Sequence, residues 1–238
     1  MSKYTQAMRK DPLFLRNQFY SESRFDIPVI RRQNPSISQL EIIGIQNAKT
    51  ADLNAGSRLV HGFKDDPKID PCYNRPDQTF EKLKNYACLC TPNYSYFSNM
   101  PTALQIDAVF RSHWVGAYWQ SRGKEVLANV CWGMPDSYDF CFAGYEKGLS
   151  VIVSTMGATR TKEGFLFGYE EMLKRLKPKE VWCYCTPFSE MTNVSGKFSY
   201  ETSKRKRQKI SSRQLDIFSL LEGGDNNDST WWTIGRVE

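Results

Sequence analysis

The sequence predicts an α/β fold: a mainly parallel sheet of five or six strands with βα repeats, either open or curled into an incomplete TIM-like barrel. Three observations carry that expectation. The stretch from Tyr86 to Trp132 reads as strand, polar loop, long helix, tight turn, strand. Two strands joined through a crossover helix pair in parallel, with a right-handed connection. Leu149–Thr155 (LSVIVST) is apolar and β-branched, as a strand covered on both faces must be. With 238 residues the chain is shorter than the ~250 typical of a complete eight-fold barrel.

Taken in order, residues 1–35 are punctuated by Asp11-Pro12, Ile27-Pro28 and Asn34-Pro35 and carry scattered aromatics. They read as a short helix near Leu13–Tyr20 followed by an extended arm packed on the core, where aromatics bury large apolar area. Leu40–Ile45 reads as a strand or the end of a turn leading into one, and Arg58–Phe63 (RLVHGF) as a strand. Residues 67–77 hold Pro67, Pro71 and Pro76 and read as a loop, because proline lacks the N–H that helices and ladders use. Asp77 to Tyr86 reads as a helix capped by Asp77.

In the organising unit, Ala87–Cys90 is a short strand stopped by Thr91-Pro92-Asn93. Pro101 starts a helix. Leu104, Ala108, Val115 and Tyr118, with Ile106, Phe110 and Trp114, give it a broad apolar face. Gly123 ends it, and Val126 to Trp132 is the next strand. Ser137 to Tyr145 reads as a short aromatic helix. Leu149–Thr155 is followed by a helix over Thr161 to Lys177, ended before Pro178. Val181–Cys185 is expected to be the final strand. These boundaries divide the chain into an arm (1–35), an α/β domain (36–190) and a tail (191–238) of basic linker, short helix and flexible Gly/Asn/Asp composition.

The chain is 40% apolar and 24% charged, with net charge +6. Residues 201–238 hold seven Lys or Arg and six Asp or Glu, so they account for +1 and the body for +5. A mildly basic body is compatible with phosphate-bearing partners without demanding them. The start at Met1-Ser2-Lys3-Tyr4 does not read as a signal peptide, and no apolar run is long enough to cross a bilayer. Seven cysteines, an odd number placed mainly in expected strands, suit reduced thiols in a cytoplasmic setting rather than a disulfide framework.

Parallel α/β folds bind ligands at the carboxyl ends of their strands. The residues expected there are Asp65, Asp66, Asn93, Tyr94, Trp132, Asp136, Ser154, Thr155, Arg160 and Thr186. Asp65 and Asp66 are the candidate acid–base pair. Asn93, Tyr94, Trp132, Asp136, Thr155 and Arg160 are candidate ligand contacts. Carboxylates, an arginine, hydroxyls and flat aromatics suit a sugar, nucleoside or nucleotide, and the same residues are also ordinary loop composition. His61 and His113 read as packed side chains. Cys88-x-Cys90 and Cys183-x-Cys185 each place two thiols on one strand face. Burial as small hydrophobes is the simpler reading than zinc, and no metal or cofactor is expected. Lys204, Arg205, Lys206, Arg207 and Lys209 form a basic run fit either for phosphate contact or for a solvated linker. No Walker, HExxH or Gly-x-Ser-x-Gly signature is present.

The runs HGFKDD, TPNYSYFSNMPTALQIDAVFRSHWVGAYWQSRGKEVLANVCWG, YDFCFAGYEKGLSVIVSTMG and FLFGYEEMLKRLKP resemble the domain of unknown function 4417 family. The resemblance covers roughly residues 58–186, and MPTALQ and GAYWQ are its most specific blocks. It implies a shared α/β fold and a phage or mobile-element setting, and no established activity. The family's strand-end loop usually reads Ser-Pro-Asp-Phe-Ser, and here it is Thr91-Pro92-Asn93-Tyr94-Ser95. An amide does not titrate, so Asn93 cannot serve as an acid or base.

Three functional readings follow from the residues. The first is a nucleic-acid- or nucleotide-associated protein. The second is an enzyme acting on a small ring-containing substrate through Asp65 or Asp66. The third is a non-enzymatic interaction module that docks a protein partner through Trp231-Trp232 in its tail.

Overall fold

Seven short segments, most of them apolar, become strands of one sheet, and all of them point the same way. The computed structural model describes residues 7–97 and 99–199. In chain order the elements are α1 (Pro12–Leu15), β1 (Glu41–Gly44), β2 (Arg58–His61), α2 (Asp66–Asn74), α3 (Pro76–Leu83), β3 (Cys88–Cys90), α4 (Thr102–Ser121), β4 (Glu125–Asn129), α5 (Tyr138–Cys141), β5 (Ser150–Ser154), α6 (Lys162–Leu176), β6 (Glu180–Tyr184) and β7 (Gly196–Phe198). Each strand pairs in parallel with its neighbour in sequence, in the order β1 to β7.

Sequential order with helices on one side winds the sheet into a barrel. The inward side chains prove the curvature. Ile42, Leu59, Cys88, Leu127, Ile152, Trp182 and Phe198, one from each strand, belong to a single apolar cluster. His61 and Phe63 at the end of β2 meet Tyr184 at the end of β6 at ring distances of 4.8 and 4.5 Å, across a sheet in which β2 and β6 are not neighbours, and only a curled sheet lets them meet. The outward residues form two further clusters. Val60, Leu89 and Val126 pack under α2, α3 and α4. Ala128, Val151, Val181 and Cys183 pack under α6 through Tyr169, Met172 and Leu176. The barrel is nearly closed, with one unsealed seam between β1 and β7, the two strands with a single partner each.

The amino ends of the strands are stoppered by the segment before β1. Gln33 Oε1 accepts from Val126 N–H at 2.9 Å, and Gln33 O accepts from Ser150 N–H at 3.0 Å. Asn34 Oδ1 accepts from the Ser150 hydroxyl, and Ile37 enters the interior cluster. At the same end Arg58 Nη1 grips both oxygens of Asp52 (2.8 and 2.9 Å), and that hydrogen bonding holds the Asp52 carboxyl below the ordinary carboxylate range.

Several expectations are corrected. Residues 67–77 are not a loop: they contribute to α2 and α3. Pro67 and Pro76 sit in first turns, where the missing N–H has no intrahelical partner to lose. Pro71 lies inside α2, where proline costs about 3 kcal/mol. Complete burial of Ile69 and Cys72, at about 1.5–3 kcal/mol for an aliphatic side chain, offsets it. Asp77 is not a cap but lies in the first turn of α3, where it accepts from Tyr118 OH and from Arg122 Nη2. The N-terminal helix stops at Leu15 because Arg16 turns left-handed (φ 57°). The expected helix from Ser137 to Tyr145 is a single turn, Tyr138–Cys141. A seventh strand, Gly196–Phe198, follows the expected last one. Its three residues include an exposed lysine, and only Phe198 marks an inward face.

Candidate functional site

All seven carboxyl ends meet at one rim, the end where parallel barrels hold their ligands. Strand alternation decides which side chains look inward there. Along β2 the inward face passes from Leu59 to His61, and along β4 from Leu127 to Asn129. His61 is fully buried. Its Nδ1 accepts from Phe63 N–H at 3.2 Å, which places the neutral ring's proton on Nε2. The ring lies 4.8 Å from Tyr184, and Phe63 stacks on Tyr184 at 4.5 Å and 12°. Aromatic rings thus floor the mouth. Directly after Tyr184, Cys185 takes φ 75°, a region that non-glycine residues adopt at a cost of order 1–3 kcal/mol, and such costs cluster at functional sites.

Asn129, 2% exposed, is held on three sides. Pro92 ends β3, so the β3 ladder cannot continue beside it, and side chains take over. Asn129 N–H donates to Thr91 Oγ1 at 2.9 Å, and Asn129 O accepts from Tyr145 OH at 2.9 Å. Its amide Nδ2 donates to Asn93 Oδ1 at 2.9 Å. Asn129 Oδ1 has no hydrogen-bond partner among the described residues. Flipping both amides reverses the Asn93 bond and leaves the Asn129 NH2 as the group without its partner. In either orientation one buried polar atom of Asn129 is not satisfied by the described chain, which costs about 1–3 kcal/mol unless a ligand or water meets it.

The other candidate residues scatter. Asp66, at the first position of α2, accepts from both the N–H and hydroxyl of Ser95 (2.9 Å each) and so ties two rim loops together. Asp65 is exposed and paired with Lys68 at 2.6 Å. That hydrogen bond holds its carboxyl below the usual range, which weakens it as a base. Tyr94 is buried in the layer between sheet and helices, its hydroxyl donating to Ile69 O at 3.4 Å. Trp132 lies beyond the end of β4 and packs on α6. Its Nε1–H donates to Phe165 O, and a Cβ on Gly168 would stand 2.1 Å from its ring. Thr155 donates to Thr186 O at 2.9 Å, joining the ends of β5 and β6. Asp136 and Arg160 are exposed on separate loops. The structure therefore brings Asn93 to Asn129, Asp66 to the Asn93 loop, and Thr155 to Thr186. It places Tyr94 and Trp132 on the helix side of the sheet. Lys204, Arg205, Lys206, Arg207, Lys209 and the Trp231-Trp232 pair lie outside the described residues.

Asn129 and Tyr145 are the residues that reading the sequence missed. Period-two counting from Leu127 was a usable signal for Asn129; nothing local marks Tyr145. The two Cys-x-Cys pairs do not keep to one face: Cys88 and Cys90 lie in the interior cluster and Cys185 packs against it, while Cys183 faces the helix layer. Burial pushes Cys88 up to about 12 and Cys183 to about 11, so both are protonated thiols at neutral pH. No group of three or more His, Cys, Asp or Glu among the described residues is placed to hold a metal. An open cavity of about 400 Å³ lies between Leu173, Lys177, Lys179 and Asn193 at the amino end of β6, opposite the rim. No helix among the described residues is long and apolar enough to cross a membrane.

Fold and mouth together define a seven-stranded, nearly closed parallel α/β barrel with an amide pair, Asn129 buried and Asn93 half-buried, at its carboxyl end. The family model described as "Domain of unknown function (DUF4417)" matches residues 19–199, and the chain belongs to that family. Its relatives include the "Gene 1 protein" of Mycobacterium phage L5, 35% identical over 183 residues, covering 76% of this chain and 80% of the relative. The "Gene 1 protein" of Mycobacterium phage D29 is 34% identical over 183 residues, covering 76% and 67%. No solved structure matches.

Proposed function

We propose that this phage-related barrel binds the ring of a nucleoside or nucleotide at its carboxyl mouth and works in association with nucleic acid. The observation that carries the reading is Asn129. It is buried and anchored through its backbone, and one polar atom of its amide is not met by the described chain. An asparagine amide pairs naturally with the adjacent donor and acceptor of a nucleobase edge. Phe63 and Tyr184, stacked on each other in the interior cluster, close the same end of the barrel from beneath with an apolar floor.

The test is calorimetric titration with the common nucleosides and their 5′-monophosphates, on the full chain and on Asn129→Ala. At least one ring class should bind, and the variant should bind it about tenfold more weakly, the worth of one buried hydrogen bond. No binding by any of them, or binding that Asn129→Ala leaves unchanged, overturns the mouth reading.

The basic run supports the nucleic-acid part of the proposal separately. Replacing Lys204, Arg205, Lys206, Arg207 and Lys209 by alanine should weaken binding to single-stranded DNA, duplex DNA or RNA, and should flatten its salt dependence. Salt-insensitive binding, or none at low salt, retires that part.

A further inference from the structure

We infer that Tyr145 is a positioning residue: it sets the orientation in which Asn129 meets its ligand and fixes that orientation to the N-terminal arm. The inference rests on the proposed role of Asn129. In a parallel sheet a residue's N–H and C=O both point toward one neighbouring strand. Ala128 and Val130 use β5, as the bond from Val130 N–H to Ile152 O shows. Asn129 must therefore use β3, and β3 has already ended at Cys90. Thr91 Oγ1 takes the Asn129 N–H and Tyr145 OH satisfies the Asn129 carbonyl, at 2.9 Å each. Two hydroxyls thus stand where a strand would be. Of the two, only Tyr145 reaches in from outside the sheet.

Tyr145 is in turn held by the arm. Ile30 bridges to it in parallel: Ile30 N–H donates to Gly144 O at 2.8 Å, and Glu146 N–H donates to Ile30 O at 3.1 Å. Gly144 makes this approach possible. It sits at φ 73°, and a Cβ there would stand 2.8 Å from Pro28 O. The ring of Tyr145 packs edge-on against His113 at 4.2 Å, while His113 Nδ1–H donates to Pro28 O. Arm, tyrosine ring and strand end form one connected unit, whose last bond falls on the residue that carries the site amide.

Tyr145→Phe tests this, because it keeps the ring against His113 and removes only the hydroxyl. The protein is labelled with ¹⁵N-asparagine, and the Asn129 side-chain amide signals are identified by their loss in Asn129→Ala. In ligand-free Tyr145→Phe those signals should shift and exchange with water about tenfold faster. The affinity for the nucleoside that the wild type binds should fall about five- to tenfold. Unchanged Asn129 signals overturn the inference, even if the variant is less stable, because a merely structural tyrosine would lower stability without touching that amide. If no nucleoside binds the wild type but the Asn129 signals respond, the ligand reading fails and the positioning role stands.

Discussion

Replacing His113 by asparagine should remove roughly 3 kcal/mol of acid sensitivity from the fold. His113 is fully buried, and its Nδ1–H donates to Pro28 O at 3.0 Å. The side chains and backbone that face it are the edge of Tyr145, Gly144 and the arm at Pro28. Its Nε2 has no hydrogen-bond partner among the described residues. Charging the ring would bury a cation whose Nε2–H has no acceptor among the described residues, and burial outweighs the backbone hydrogen bonds at Pro28 and Gly144, lowering its pKa from 6.5 to about 4. The sign follows from linkage. Below about pH 6.5 the unfolded chain binds a proton that the folded chain refuses. The stability due to neutral His113 is complete above that pH and is lost as pH falls toward 4. The paired carboxylates Asp52, Glu171 and Glu190 also lose stability on acidification, but their folded pKa values are depressed, so their loss lies at lower pH and is common to both proteins. His113→Asn keeps a donor near the Nδ1 position and removes the titration. Urea unfolding at intervals from pH 7.5 to 4 should give a wild-type curve that falls more steeply than that of the variant. Parallel curves would mean that the ring takes up its proton in the folded state at the same pH as in the unfolded chain.

The parts of this fold that were legible are those in which local pattern and tertiary role agree. Cys88–Cys90, Thr102–Ser121 and Glu125–Asn129 lie within a residue or a few of where periodicity and proline signals place them. The same holds for Lys162–Leu176. The failures have physical causes. Three prolines in ten residues argue for a loop only while burial is ignored, and Ile69 and Cys72 reverse that balance. Gly196–Phe198 is too short to carry a period, and it is a strand because Tyr184 and Trp182 offer it an edge.

The candidate site was legible to the rim and not beyond it. Carboxyl-end logic picks out loops that lie at the carboxyl edge of the sheet, but side-chain direction is set by alternation only as far as the strand continues. Pro92 breaks the alternation after Cys90, which is how Tyr94 comes to face the helices. Trp132 lies three residues past Asn129, the last residue of β4, and its ring finds the space left by Gly168. Asn129, still inside its strand, obeys the alternation and faces the mouth. Tyr145 could not be read from spacing, because its hydroxyl returns to a carbonyl sixteen residues earlier.

Trp114→Ala should cost about 3–5 kcal/mol. The reason lies in an unusual feature of α4: every residue from Ser112 to Trp119 is buried, so the helix has no solvent face at that level. One side rests on the sheet through Val115 and Ala108. The opposite side must be covered by something else, and the N-terminal arm and α2 cover it through Trp114. The indole stacks on Tyr118 (5.3 Å, 13°), meets Phe19 at 5.6 Å and takes the edge of Tyr73 at 5.5 Å. The Arg16 guanidinium lies 4.1 Å above it, and its Nε1–H donates to Gln18 at 3.2 Å. Arg16 holds its own place by a bond from Nη2 to Tyr73 O at 2.8 Å. Removing the indole deletes the surface on which residues 16–19 are seated, so the loss combines a cavity with release of the arm. Denaturant unfolding should show the drop in stability. Amide exchange should show residues 13–19 losing protection while the central strands keep theirs. A loss below about 1 kcal/mol, or an arm as protected as in the wild type, would mean that the arm is held from its other end, by Ile27 and Ile30 in the outer cluster, and that the indole only fills space.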